Sequence, residues 1–222
     1  MTATTTDPRV SPMVRSEGLR LARVAKILAS KVAAEERMRF ALRSVRFLPL
    51  GKGRVRMEAT NGRILARVDF DVASDRCEDE GGAPTLAREI LVSTDTLKSF
   101  RAGDGLMIDD AGRLMRLDPS GLPTVELVTD QDGMFPDTDS VIPARTNNAD
   151  GLDGTWFGFG AEYLSDLLAV VVGMQASAKM DAPAVVFSWI APAKKDSANP
   201  LRMDARTAGM EFIGVIMPVS LQ

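Results

Sequence analysis

This 222-residue sequence carries 30 Asp and Glu residues, and carboxylates are the first candidates for a catalytic or metal site in it. The chain has no histidine and a single cysteine, Cys77. Without imidazole, the commonest general base and metal ligand is missing. This counts against Ser-His-Asp and Cys-His hydrolases and against zinc chemistry. One cysteine also excludes an intrachain disulfide framework. Asp109-Asp110 and Glu78-Asp79-Glu80 offer the hard oxygens that Mg²⁺ takes, but both sit in turn-like sequence, where solvated loop acids are the ordinary reading. No catalytic residue, metal or cofactor is therefore expected. A metal-dependent nuclease working through Asp109 and Asp110 is the remaining enzymatic alternative.

The basic residues point to a different chemistry. Residues 1–76 carry 16 Lys and Arg against 8 Asp and Glu, and the rest of the chain carries 11 against 22, so a net charge of -3 conceals a bipolar molecule. A locally basic half can meet a polyanion while an acidic remainder suppresses indiscriminate adhesion. Arg20, Arg23, Lys26 and Lys31 fall together at helical spacing, opposite Leu21, Val24, Ala25, Leu28 and Val32. Lys98 and Arg101 extend the pattern in a second helical segment. An ordinary solvated helix face is the plainer reading of the same residues.

The elements that position these side chains recur. An apolar fraction of 45% can fill a real core, and no apolar run reaches the roughly 20 residues of a membrane helix. Residues 1–12 are rich in Thr and Pro, lack an apolar signal region and are expected to be a disordered tail, so a cytoplasmic location is the default. Three segments then share a plan of strand, helix and short strands. In the first, Ser16 can cap the basic helix, and Arg39–Leu48, Val55–Thr60 and Ile64–Phe70 read as strands. Asn61-Gly62 between the last two predicts a type I′ hairpin turn. The second follows an acidic loop at Asp75–Ala87. It has a strand at Glu89–Val92, a brief helix capped by Ser93 or Thr94 with Leu97 and Phe100 inward, and strands at Leu106–Ile108, Arg113–Leu117 and Thr124–Thr129. The third has Trp156–Phe159, a helix over Glu162–Gln175, and strands at Ala184–Ile190, Leu201–Ala205 and Met210–Val219. The expected class is α+β, with helices on one face of antiparallel sheets. Residues 13–143 hold two repeats and residues 144–222 hold one.

Three fragments carry a resemblance to a known family. Ala59-Thr60-Asn61-Gly62-Arg63-Ile64-Leu65-Ala66 resembles the Ala-Thr-Asp-Gly-x-Arg-Leu-Ala hairpin of the bacterial DNA polymerase III beta sliding clamp. Phe135-Pro136-Asp137 followed by Val141-Ile142-Pro143 resembles that family's interdomain junction. Val215-Ile216-Met217-Pro218-Val219 resembles its Met-Pro ending. The resemblance implies a DNA-clamp fold, a non-catalytic processivity role and helices that line a ring around duplex DNA. Arg20, Arg23, Lys26, Lys31, Lys98 and Arg101 would then face phosphates without reading bases. It also implies an apolar pocket for short peptides of polymerases and clamp loaders, lined here by Thr60, Gly62, Leu65, Pro136, Val141, Val215, Met217, Pro218 and Val219. Ser140 and Ser220 replace arginines of the family pattern, so client preference is expected to differ. Glu162 and Asp166 make the third helix acidic where the family's is basic.

The repeat count departs most. Family domains pair two repeats and a ring holds twelve; this chain has three. The third repeat is therefore expected to stand unpaired within the chain and to be completed by the same repeat of another copy, with four chains closing a ring. The plainer alternative for the third repeat is a fragmentary repeat inserted in a compact monomer, and the alternative function is a clamp-like adaptor that binds clamp clients without encircling DNA.

Overall fold

A computed structural model describes residues 12–34, 40–72, 84–128, 133–143, 159–175, 184–188, 200–207 and 209–217. Its centre is the hairpin of β2 (Arg54–Thr60) and β3 (Ile64–Asp71), in register from Arg54↔Asp71 to Thr60↔Leu65. Apolar and polar residues alternate, so one face takes Val55, Met57, Ala59, Ala66, Val68 and Phe70, while Arg56, Glu58, Thr60, Leu65, Arg67 and Asp69 point the other way. The turn corrects the type I′ expectation. Gly62 has φ +84°, and Lys52 is the one non-glycine among the described residues with positive φ, so Asn61 does not adopt it. Side chains do the turning instead. The Asn61 carboxamide oxygen accepts the amides of Arg63 and Ile64 at 2.9 and 3.0 Å, and the Thr60 hydroxyl accepts the Gly62 amide at 3.1 Å while donating to the Ile64 carbonyl at 2.7 Å.

The hairpin lies within a seven-stranded antiparallel sheet of order β4-β1-β2-β3-β10-β9-β8. Its other members are β1 (Ser44–Gly51), β4 (Ile90–Ser93), β8 (Val185–Ser188), β9 (Leu201–Thr207) and β10 (Met210–Ile216). A 3₁₀ turn over Phe40–Arg43 occupies the start of the segment read as one strand from Arg39. Pro49 is tolerated in β1 because β4 pairs only as far as Phe47↔Ile90, leaving no neighbour on that side to receive its missing N–H. A second, three-stranded sheet contains β5 (Gly105–Ile108), β6 (Leu114–Leu117) and β7 (Pro123–Glu126).

Helix α1 (Pro12–Ile27) begins before Ser16 and ends in a π-helical turn, Leu28–Val32. It buries Leu21, Val24, Ala25, Leu28 and Val32. Helix α2 (Thr94–Lys98) is capped by Ser93, whose hydroxyl accepts the Thr96 amide at 3.1 Å, and Leu97 and Phe100 are buried. Helix α3 (Ala161–Gly173) packs against α1, β3 and β10. Gly18 lets α1 approach β5, since a Cβ there would sit 2.5 Å from the Leu106 carbonyl oxygen. The three helices, the inner face of the large sheet and β5 and β6 share one core. Phe47, Phe70 and Phe212 are essentially fully buried within it, each contributing about 1.5–3 kcal/mol.

The third repeat is not left unpaired in the chain, which corrects the expectation. Strand β10 pairs with β3 from Met210↔Phe70 to Ile216↔Ile64, and Leu167, Val170, Met203, Phe212 and Ile216 join the common core. The physical reason is that β3 offers a free sheet edge beside apolar side chains at the same alternation. The strand expected from Trp156, the acidic loop at 75–83 with Cys77 and Glu78–Glu80, and Pro218 and Val219 lie outside the described residues. Among the described residues no helix is long and apolar enough to cross a membrane.

Candidate functional site

The β3–β10 seam shapes a groove on the sheet face turned away from the helices. Its cavity of about 240 Å³ is lined by Leu42, Thr60, Gly62, Arg63, Ile64, Leu65, Pro136, Asp137, Thr138, Val141, Val215 and Met217. Strand pairing sets Val215 directly beside Leu65, and the Met217 amide continues the pairing by donating to the Arg63 carbonyl at 2.9 Å. Thr60, Gly62, Leu65, Pro136, Val141, Val215 and Met217, distant in sequence, thus meet around one cavity. Val141 and Met217 remain 49% and 44% exposed, so apolar surface is held open at the rim. Such a groove suits apolar peptide anchors, with the unbranched Met217 able to adapt to their shape. Leu42, Arg63, Ile64, Asp137 and Thr138 also line it. Asp137 lies within the linker fragment that carried the resemblance and Thr138 directly follows it, whereas Leu42 reads in the sequence only as part of a strand. At the rim, the Arg63 guanidinium donates to the Tyr163 hydroxyl at 2.8 Å.

One wall of the groove, residues 133–143, crosses the sheet without joining it. Beneath it lie charged residues that strand alternation alone would place in solvent. Glu58 is fully buried and Arg67 is 6% exposed. The Arg67 Nε donates to Glu58 Oε1 at 2.6 Å, and its Nη2 reaches the Thr138 hydroxyl at 2.8 Å and Asp139 Oδ1 at 2.7 Å. The Arg67 hydrogen bond and charge hold the Asp139 carboxyl below the usual carboxylate range, with Arg56 and Arg46 adding to the effect. Because that shift is downward, the Arg67–Asp139 tie is present at neutral pH. It persists as pH falls through the ordinary carboxylate range and is lost below it.

The basic residues divide into two groups. Arg23, Lys26, Lys31, Lys98 and Arg101 are exposed on the helix side. Arg23, Lys26 and Arg101 line one shallow groove with Phe100, whose carbonyl accepts a 2.6 Å hydrogen bond from Lys26 Nζ. Lys31 pairs with Asp166 at 3.3 Å, so the acidic residue on α3 offsets part of the charge. Arg20 does not join them, a correction to its expected phosphate role. It is 5% exposed. Its Nε and Nη2 donate to the Met174 carbonyl at 3.2 and 2.9 Å, and its Nη1 lies 3.0 Å from Glu17. The cation thus occupies the C-terminal end of α3, where carbonyls left over from the helix need donors.

Asp109 serves its own turn. Burial opposes its ionisation, but hydrogen bonds from the Arg113 side chain and from the Arg113 and Ala111 amides outweigh this and leave its pKa below the ordinary range.

No family model and no curated protein matches the chain. Solved structures do. A DNA polymerase sliding clamp from Pseudomonas aeruginosa matches over 92% of this chain and 65% of its own, at 16% identity and a TM-score of 0.54. The DNA polymerase III beta chain of Streptococcus pneumoniae matches over 100% and 67%, at 13% identity and a TM-score of 0.55. Caulobacter crescentus pol III beta matches over 100% and 68%, at 16% identity and 0.53. The fold is that of the sliding clamps, and this chain spans about two thirds of their length.

Arg20→Ala is expected to cost about 1.5–3 kcal/mol in urea unfolding, the usual worth of hydrogen bonds from a charged donor. Arg101→Ala is expected to stay within about 0.5 kcal/mol. A neutral Arg20→Ala would contradict the capping role of Arg20 at α3.

Proposed function

We propose that the chain is a non-catalytic sliding-clamp-type protein of the cytoplasm that associates with itself around duplex DNA and tethers clients through the β3–β10 groove. The single observation that carries this reading is the convergence of hairpin, linker and C-terminal strand on one apolar groove, in a chain with a clamp fold. The proposed peptide site comprises Thr60, Gly62, Leu65, Pro136, Val141, Val215 and Met217, continued by Pro218 and Val219. The partners are peptides of DNA polymerases and clamp loaders. Binding to the groove is an anchoring event, with apolar side chains resting on the floor made by Leu65 and Val215, beside the exposed Val141 and Met217.

The DNA-facing set is Arg23, Lys26, Lys31, Lys98 and Arg101, on the sheet side opposite the groove. Contacts of this kind hold phosphates without reading sequence. Topology rather than tight contact then keeps the protein on DNA, so a modest attraction suffices. A ring needs further copies, four if it is built from twelve repeats. Val172 on α3 and Phe187 on the edge strand β8 are 61% and 51% exposed, and a second copy covering them would extend the arc.

Met217→Ala is expected to weaken binding of a fluorescently labelled clamp-binding peptide from a bacterial replicative polymerase about tenfold by anisotropy, with unfolding unchanged. Equal affinity would reject the groove as the client site.

For DNA, the loaded protein is expected to remain on circular duplex and to leave when the circle is cut. The combined Arg23→Glu, Lys26→Glu and Arg101→Glu variant is expected to lose about tenfold or more in low-salt duplex affinity and to show a flatter salt dependence. Peptide binding without retention on circles would favour the adaptor reading. An unaltered charge-reversal variant would remove the helix face from DNA.

A further inference from the structure

We propose that Glu58, which does not line the groove, is the positioning residue that holds the groove's linker wall in place. The inference rests on reading the groove as the client site and names what keeps that site open. Pro136, Asp137, Thr138 and Val141 line the groove from this wall, and the chain is pinned on either side of Pro136 and Asp137. Before them, Phe135 is 6% exposed and lies under the Arg46 guanidinium, 5.5 Å from its ring centroid. After them, Thr138 is 3% exposed and donates its hydroxyl proton to Glu58 Oε1 at 2.9 Å. Both anchors lead to the same carboxylate. Glu58 Oε2 accepts Arg46 Nη1 at 3.3 Å, and Oε1 accepts Arg67 Nε at 2.6 Å, while Arg67 also holds Thr138 and Asp139.

The alternation of β2 turns Glu58 away from the core, yet the linker buries it completely. An apolar side chain would fill that space at less desolvation cost, because charges removed from water recover little of their hydration in a pair. What an apolar residue cannot supply is direction. A carboxylate with partners on three sides fixes two arginines and a hydroxyl in one arrangement, and the linker, which belongs to neither sheet, takes its path from them. Preorganised walls raise affinity because the ligand need not order them.

The test compares wild type with Glu58→Gln, Phe135→Leu and Asp139→Asn, substitutions outside the groove lining. The readouts are anisotropy with the labelled polymerase peptide and hydrogen exchange of the linker amides. Glu58→Gln sets an amide donor against an arginine and is expected to weaken the peptide about tenfold, with faster exchange at 135–142. Should it fail to fold, the outer two decide: each is expected to weaken binding about threefold with an unchanged melting midpoint. Asp139→Glu, which keeps the charge, is expected to recover affinity. Wild-type affinity in Phe135→Leu and Asp139→Asn would overturn the proposal, as would a loss of affinity that merely follows a loss of stability. If wild type itself does not bind the peptide, the client reading fails, and linker exchange alone decides. Faster exchange in Asp139→Asn would keep the positioning role, and unchanged exchange would remove it.

Discussion

The pairing of β3 with β10 is the constraint on which the rest of the molecule depends. It joins residues 64–70 to residues 210–216 along an unbroken antiparallel register. That register joins the strands of the third repeat to a sheet made of the first repeat and β4 of the second. It also places α3 against α1 and lays Val215 beside Leu65. A slip of one residue would exchange the two faces of β10. Phe212 and Ile216 would leave the core, and Val215 would leave the groove. Fold and candidate site are therefore fixed by the same ladder.

The two faces of the large sheet do different work because the side-chain period of a strand is two. The inner face is apolar and carries the helices, which present Arg23, Lys26, Lys98 and Arg101 to solvent. The outer face is charged, and charge there has become structural where the linker covers it. Glu58 and Arg67 are buried by a segment with no strand pairing of its own, so directional side-chain bonds take the place of a backbone ladder. Arg20 illustrates the same economy on the other side: a cation from the basic helix caps α3 instead of facing outward.

Much of the architecture was legible in the sequence. Alternation in Val55–Thr60 and Ala66–Phe70, on either side of Asn61-Gly62, identified both strands, and the spacing of Leu21, Val24, Ala25, Leu28 and Val32 identified the buried stripe of α1. The groove residues were nameable through three short fragments, although nothing in their spacing says that they meet. Three things were not legible. Local hydrogen bonding by Thr60 and Asn61 overrode the Asn-Gly turn preference. Arg20 and Arg23 look alike on a helical projection, and only the tertiary position of Met174 separates them. The in-chain partner of the third repeat depends on a free edge at β3, which no local pattern reveals. Glu58 was hidden for a related reason, since alternation marks it as a surface residue and the covering linker is 80 positions away.

The most direct test of a client groove at this seam is the structure of the protein crystallised with a clamp-binding peptide from a bacterial replicative polymerase. The expected result is density for apolar peptide side chains between Leu65, Val141 and Val215, with Pro136 and Met217 in contact. Peptide density elsewhere on the molecule, or an empty groove at saturating peptide, would contradict it.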